Sequence, residues 1–192
     1  MNLEAISAIK KSANTCKIIK NQILNSPFSA IKELSPQIFT DNLSYQFSIN
    51  GNLMFQNHRD LTLTQNDLIS IKINSRQESF EAELAFSIYF GNENTLHRLI
   101  DTNKRAVIET CQNLCPGLSD HDIIEVLKLS KEEFLQNDDC ITIKNLNKHN
   151  KLMAGDILIL GASLKTQGEK SSTATRTETI LITANGAQIL TS

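Results

Sequence analysis

Residues 66–91 read NDLISIKINSRQESFEAELAFSIYFG, and the repeat of their apolar positions decides the fold class. Ile69, Ile71 and Ile73 alternate with Ser70 and Lys72, which is the period of two that a half-buried strand imposes. The same pattern predicts a hairpin: a first strand over 67–73, a turn at Asn74-Ser75, and a second strand over 79–90 closed by Gly91-Asn92. Upstream, Leu43, Tyr45, Phe47 and Ile49 also alternate, and Asn50-Gly51-Asn52 supplies the turn after them.

Outside this β-rich centre the period changes to that of a helix. Leu3, Ile6, Ile9, Ala13, Cys16, Ile19 and Ile23 recur at three- and four-residue steps, so one amphipathic helix spans about 2–25 and ends at Asn25-Ser26-Pro27. A short helix is expected over 29–34, before Pro36. Helical period returns at Asn94 and stops at Cys115-Pro116-Gly117. Ser119 caps the next helix, with Asp120 and Asp122 in the first turn where the helix dipole favours anions. Residues 130–150 are polar and carry no clear period. The last quarter is strand-like, with Ile157–Leu160, a polar loop over 166–172, a strand over 178–183, the turn Ala184-Asn185-Gly186 and a final strand over 188–191. The order predicts an α+β chain with a mostly antiparallel curved sheet covered by helices on one face.

The chain has 192 residues, 40% of them hydrophobic and 21% charged, enough for one globular domain over 1–192 that needs neither disulfide nor metal to fold. A net charge of -2 gives no basic field to concentrate phosphate, so a nucleic-acid site is not expected. No run approaches the ~20 apolar residues of a membrane span. The cysteines Cys16, Cys111, Cys115 and Cys140 read as reduced, buried thiols. The i,i+4 pair Cys111 and Cys115 has no second Cys or His pair at metal-site spacing. His58, His97, His121 and His149 fall in four different elements and read as surface or loop residues. No phosphate loop, GxSxG, HExxH or paired CxxC occurs.

The order of segments nevertheless carries information. The helix ISAIKKSANTCKIIKNQI, the hairpin above, the helix end NLCPGLSDHDIIEVL, the lead-in NKLMAGDILILGASL and the close TETILITANGAQILT together resemble the creatinase and methionine aminopeptidase superfamily, the pita-bread fold. The enzymes of that family hold two metal ions on two hairpin aspartates, a histidine, and two glutamates of the closing strands, and the metals make a nucleophile of a shared water. Carried onto this chain, the aspartates fall on Lys72 and Glu83 and the glutamates on Gly161 and on Thr177, or on Glu178 if the register slips by one. The histidine loop would fall in KEEFLQNDDC, residues 131–140, which has no histidine. The substrate-positioning histidine falls at Asn57, beside His58. Most of the metal ligands are thus missing, no cofactor is expected, and Lys72 with Glu83 is expected to form a cross-strand ion pair.

Within the superfamily the closing segments KLMAGDILILGASLKTQGEK, TETILITANG and QILTS most resemble the peptidase-like domain of the large subunit of FACT-type histone chaperones. That resemblance implies a non-catalytic module in the nucleus acting on histones or other chromatin or replication factors during transcription, replication and repair. The smaller chaperone subunit would be met through other domains of a longer chain. The groove contacts implied are Lys72, Glu81 and Glu83, with Glu78 nearby. Two other readings stay open: a metallo-aminopeptidase or amidinohydrolase, and a ribosome-associated non-catalytic relative.

Overall fold

The computed structural model describes residues 3–27, 39–40, 42–53, 63–129, 141–147, 149–166 and 172–192. The helix expected over 29–34, His58, the segment 131–140 with Cys140, and most of the loop over 166–172 lie outside the described residues.

Helix α1 spans Leu3–Leu24 and buries Ala5, Ala8, Ile9, Ser12, Ala13, Cys16, Lys20 and Ile23. Most of these are small, so the helix lies close against the sheet: Cys16 Sγ is within 3.7 Å of the Ala82 carbonyl and Ser12 Oγ within 3.4 Å of the Phe80 carbonyl. The strands are β1 Phe39–Thr40, β2 Leu43–Ile49, β3 Asn52–Leu53, β4 Ile69–Gln77, β5 Phe80–Ile88, β6 Ile141–Asn145, β7 Ile157–Lys165, β8 Thr173–Thr183 and β9 Gly186–Ile189. Helix α2 spans Asn94–Asn113 and α3 spans Asp120–Leu129. All the described ladders are antiparallel, in the order β1-β2-β4-β5-β8-β7-β6, with β3 on β2 and β9 on β8. The α+β class with a curved, mostly antiparallel sheet is therefore the observed one.

Two apolar layers hold helices on the sheet. Ile69, Ile71 and Ile73 of β4 with Leu84, Phe86 and Ile88 of β5 pack under α1 through Ala13, Cys16 and Ile23. Leu158, Leu160 and Ala162 of β7 with Ile180 and Ile182 of β8 pack under α2 and α3 through Val107, Cys111, Ile123 and Leu127. The α3 cap is as expected: Ser119 Oγ accepts the Asp122 N–H at 3.3 Å, and Asp122 accepts the Ser119 N–H at 2.8 Å.

The structure corrects several boundaries. The central hairpin turns at Glu78-Ser79, not at Asn74-Ser75, with Gln77 opposite Phe80 and Glu78 at φ 59°. Ser75 sits opposite Ala82 and is only 4% exposed, because a short side chain fits beneath α1 where a longer one would not. A buried small polar residue continues the strand without an apolar signal. Likewise β8 begins at Thr173 rather than 178, and β7 runs on to Lys165. Residues 141–145, inside the stretch that carried no clear period, form β6 against β7. Cys115 is exposed, unlike the buried Cys16 and Cys111.

Candidate functional site

The hairpin pattern fixes which side chains face away from the helices. With Ile71, Ile73, Leu84 and Phe86 under α1, Lys72, Glu83 and Ala85 take the opposite face. Across the ladders Lys72 lies opposite Ala85, Ala85 opposite Thr177, Thr177 opposite Gly161, and Gly161 opposite Thr142. Residues directly opposite share a face, so one transverse row carries Lys72, Thr177 and Gly161. Glu83, two residues from Ala85, stands one row away on the same face. The expected ion pair is present: Lys72 Nζ is 2.8 Å from Glu83 Oε2. The lysine side chain keeps 38% of its surface exposed and the glutamate 11%, so the pair shows its cation to solvent and hides its anion. Glu81 lies opposite Arg76, two residues further along the same face, and is half-buried.

The ladder also resolves the register of the closing strand. Thr177 belongs to the row, whereas Glu178 is fully buried on the helix side, ion-paired with Arg176 and hydrogen-bonded by the Thr191 hydroxyl. Lys20 of α1 reaches into the same layer and donates to the Thr191 carbonyl at 3.2 Å. Burial lowers the pKa of its amine, and the Glu178 carboxylate works against that shift.

Hydroxyls stitch the two halves of the sheet together where β5 meets β8. Thr179 Oγ1 accepts the Glu83 N–H and donates to the Glu83 carbonyl, each at 2.8 Å. At the other end Ser87 Oγ accepts the Thr175 N–H at 2.8 Å and lies 2.6 Å from Ser70 Oγ. These bonds satisfy backbone groups that regular strand pairing would otherwise take. The alternation Thr173, Thr175, Thr177, Thr179 is the sequence signal for this seam, a run of strand-favouring residues that carries no apolar pattern.

A carboxylate-bridged pair of metal ions does not suit the four described positions. Lys72 brings an ammonium, the Glu83 carboxylate is already paired with it, and Thr177 offers one hydroxyl. At Gly161 even a Cβ would come within 2.5 Å of Thr177 Oγ1, leaving no room for a glutamate arm. Among the described residues no group of three or more His, Cys, Asp or Glu could hold a metal ion.

Two of the described histidines have partners in other parts of the fold. His97 Nε2 lies 3.0 Å from the Gly91 carbonyl. His149 Nδ1 lies 2.9 Å from Oδ1 of Asp156, a carboxylate that is 1% exposed and also accepts the Met153 N–H at 2.9 Å. Asp156 thereby organises the turn into β7. Nothing in its local sequence distinguishes it from a surface aspartate.

The backbone can be compared with solved structures. Methionine aminopeptidase from Thermotoga maritima superposes with a TM-score of 0.80 at 13% identity, covering 100% of this chain and 98% of that one. This is the creatinase/aminopeptidase, or pita-bread, fold. The N-terminal domain of FACT complex subunit SPT16 from chickpea matches with a TM-score of 0.72 at 14% identity, over 100% of this chain and 58% of that one. Prolidase from Pyrococcus furiosus also gives 0.72, at 15% identity, over 100% of this chain and 64% of its own. The chain thus spans nearly the whole of the first protein and less than two thirds of the other two. No family model and no curated protein sequence matches. No described helix is long and apolar enough to cross a membrane.

Proposed function

We propose that this pita-bread chain is a non-catalytic, peptidase-like binding module of a FACT-type histone chaperone, with histones or other chromatin proteins as its partners in the nucleus. The observation that carries the reading is the Lys72–Glu83 ion pair, at 2.8 Å, on the face where the enzymes that this chain resembles need two acidic metal ligands. A fixed ammonium there repels divalent cations and occupies the nearest carboxylate. Gly161 and Thr177 support the same reading, because the closing strands then bring no carboxylate to that face and their Glu178 lies on the other one.

The face then acts in recognition. Its outward charge is the half-exposed Lys72 together with Glu81 and the exposed Arg76 opposite it, while Glu83 holds Lys72 in position. Such mixed, partly exposed charge favours selectivity and orientation of a partner segment over raw affinity. The partner class rests on likeness to the SPT16 domain and on the segments KLMAGDILILGASL and QILTS.

The test has two arms. Purified protein is titrated with reconstituted core-histone dimers and core-histone tetramers by calorimetry, alongside the Lys72→Glu and Glu81→Lys variants. Saturable binding weakened at least five-fold by either charge reversal supports the module. No heat of binding at about 50 µM, on the order of the weakest useful protein contacts, overturns it. In the second arm metal content and aminopeptidase activity are measured. Two equivalents of manganese, cobalt or zinc with turnover of a peptide substrate would establish an enzyme instead.

A further inference from the structure

We infer that an internal water molecule sits between helix α2 and strand β8, bridging Arg176 Nε and Asn103 Oδ1. Both atoms are buried and neither has a hydrogen-bonding partner among the described residues. One is a donor and the other an acceptor, and Arg176 is 8% exposed and Asn103 1%.

Their placement follows from the ladder. Asn103 Nδ2 donates to the Ala162 and Ala174 carbonyls, each at 3.0 Å. Ala162 lies directly opposite Arg176, and Ala174 precedes it by two residues on the same strand face. The carboxamide of α2 and the guanidinium of β8 therefore share one layer between helix and sheet. With its Nδ2 held by two carbonyls, Asn103 cannot turn to present a second donor, and its Oδ1 is left as the acceptor. The guanidinium is held in turn by its terminal amino group on Glu178. Each side chain is thus anchored by its other end, and neither is free to turn and satisfy itself elsewhere.

A buried polar atom without a partner is costly, and internal waters remove that cost where two to four polar groups converge. A water accepts from Nε–H and donates to Oδ1 without adding charge. An anion suits the same place poorly, because Asn103 Oδ1 would face it with a lone pair. The bridge adds a tie from α2 to β8 at the residue adjacent to Thr177, the strand position that carries the row on the other face.

The test uses the intact protein. A crystal structure at a resolution that shows ordered solvent should place one atom about 2.7–3.2 Å from both groups, the ordinary hydrogen-bond range. In solution the Arg176 Nε–H resonance should show an exchange or Overhauser peak to water that is absent in Arg176→Lys, a variant that keeps a cation for Glu178 but loses the Nε–H. A direct Nε–Oδ1 contact in the density, no density between the two groups, or bromide replacing the atom in a soak would each overturn the inference. The wild-type density decides on its own should the variant fail to fold.

Discussion

Removing Lys72 should damage the fold far more than neutralising its partner, because the pair is unequally buried. The two groups are 2.8 Å apart, with the lysine side chain 38% exposed and the glutamate side chain 11% exposed. At an effective dielectric of about 20 their gross attraction is about 6 kcal/mol, most of which is cancelled by the desolvation already incurred on folding. In Lys72→Met the carboxylate stays in place, almost enclosed, with no cation beside it. Such a loss costs about 3–5 kcal/mol for a fully buried pair, and the residual exposure of Glu83 brings the expectation to about 2 kcal/mol. In Glu83→Gln the ammonium can turn into the solvent it already touches, at a cost of about 0.5 kcal/mol, the scale of an exposed pair. For a chain of this size these figures correspond to Tm losses of about 4–8 °C and about 1–2 °C. Urea unfolding of the two single variants and of the double variant closes a thermodynamic cycle, in which the double should be less destabilised than the sum by about 1 kcal/mol. Equal or reversed single costs, or additivity within about 0.3 kcal/mol, would show that the pair does not hold this face.

Three further outcomes follow from the same geometry. Gly161→Ala places a Cβ 2.5 Å from Thr177 Oγ1 and 3.2 Å from the Arg176 carbonyl, so it should cost about 1–3 kcal/mol in denaturant unfolding, and Thr177→Ala in the same chain should recover part of that loss. Lys20 binds a proton less readily folded than unfolded, so the unfolded state holds more protons between its lowered folded pKa and the ordinary 10.5. Stability relative to Lys20→Met should therefore rise with pH through that window, and a flat difference in pH-dependent unfolding would refute the burial argument. Native protein treated with N-ethylmaleimide should be labelled at the exposed Cys115, as read by peptide mass spectrometry, and spared at Cys16 and Cys111. Burial pushes the Cys16 thiol up to about 12 and raises Cys111 as well, so thiolate is scarce at both.

Much of the fold is legible wherever burial is recorded by apolar side chains. The alternation at Ile69, Ile71 and Ile73, the stripe of α1, and the cap Ser119 with Asp122 are local patterns, and each forms where the sequence predicts it. The errors fall where burial uses small or polar residues. Ser75 under α1, the threonines of β8 and the short β6 give no apolar signal, because the packing that hides them comes from elements distant in the chain. The same holds for Asp156 and Asn103, whose partners are set by turn and ladder geometry.

The sequence by itself determined the α+β class, the separation of Lys72 from Glu83 by one hairpin, and the absence of a histidine from residues 131–140. Tertiary structure decided the rest. A hairpin alone leaves a one-residue uncertainty that flips every side chain to the other face. Only the neighbouring strands remove it, by setting Ala85 against Thr177 and Thr177 against Gly161, so that Thr177 joins the row of Lys72 and Glu178 goes beneath the helices. Whether a charge is free or spent is likewise a matter of a few ångströms across strands, which no spacing along the chain encodes.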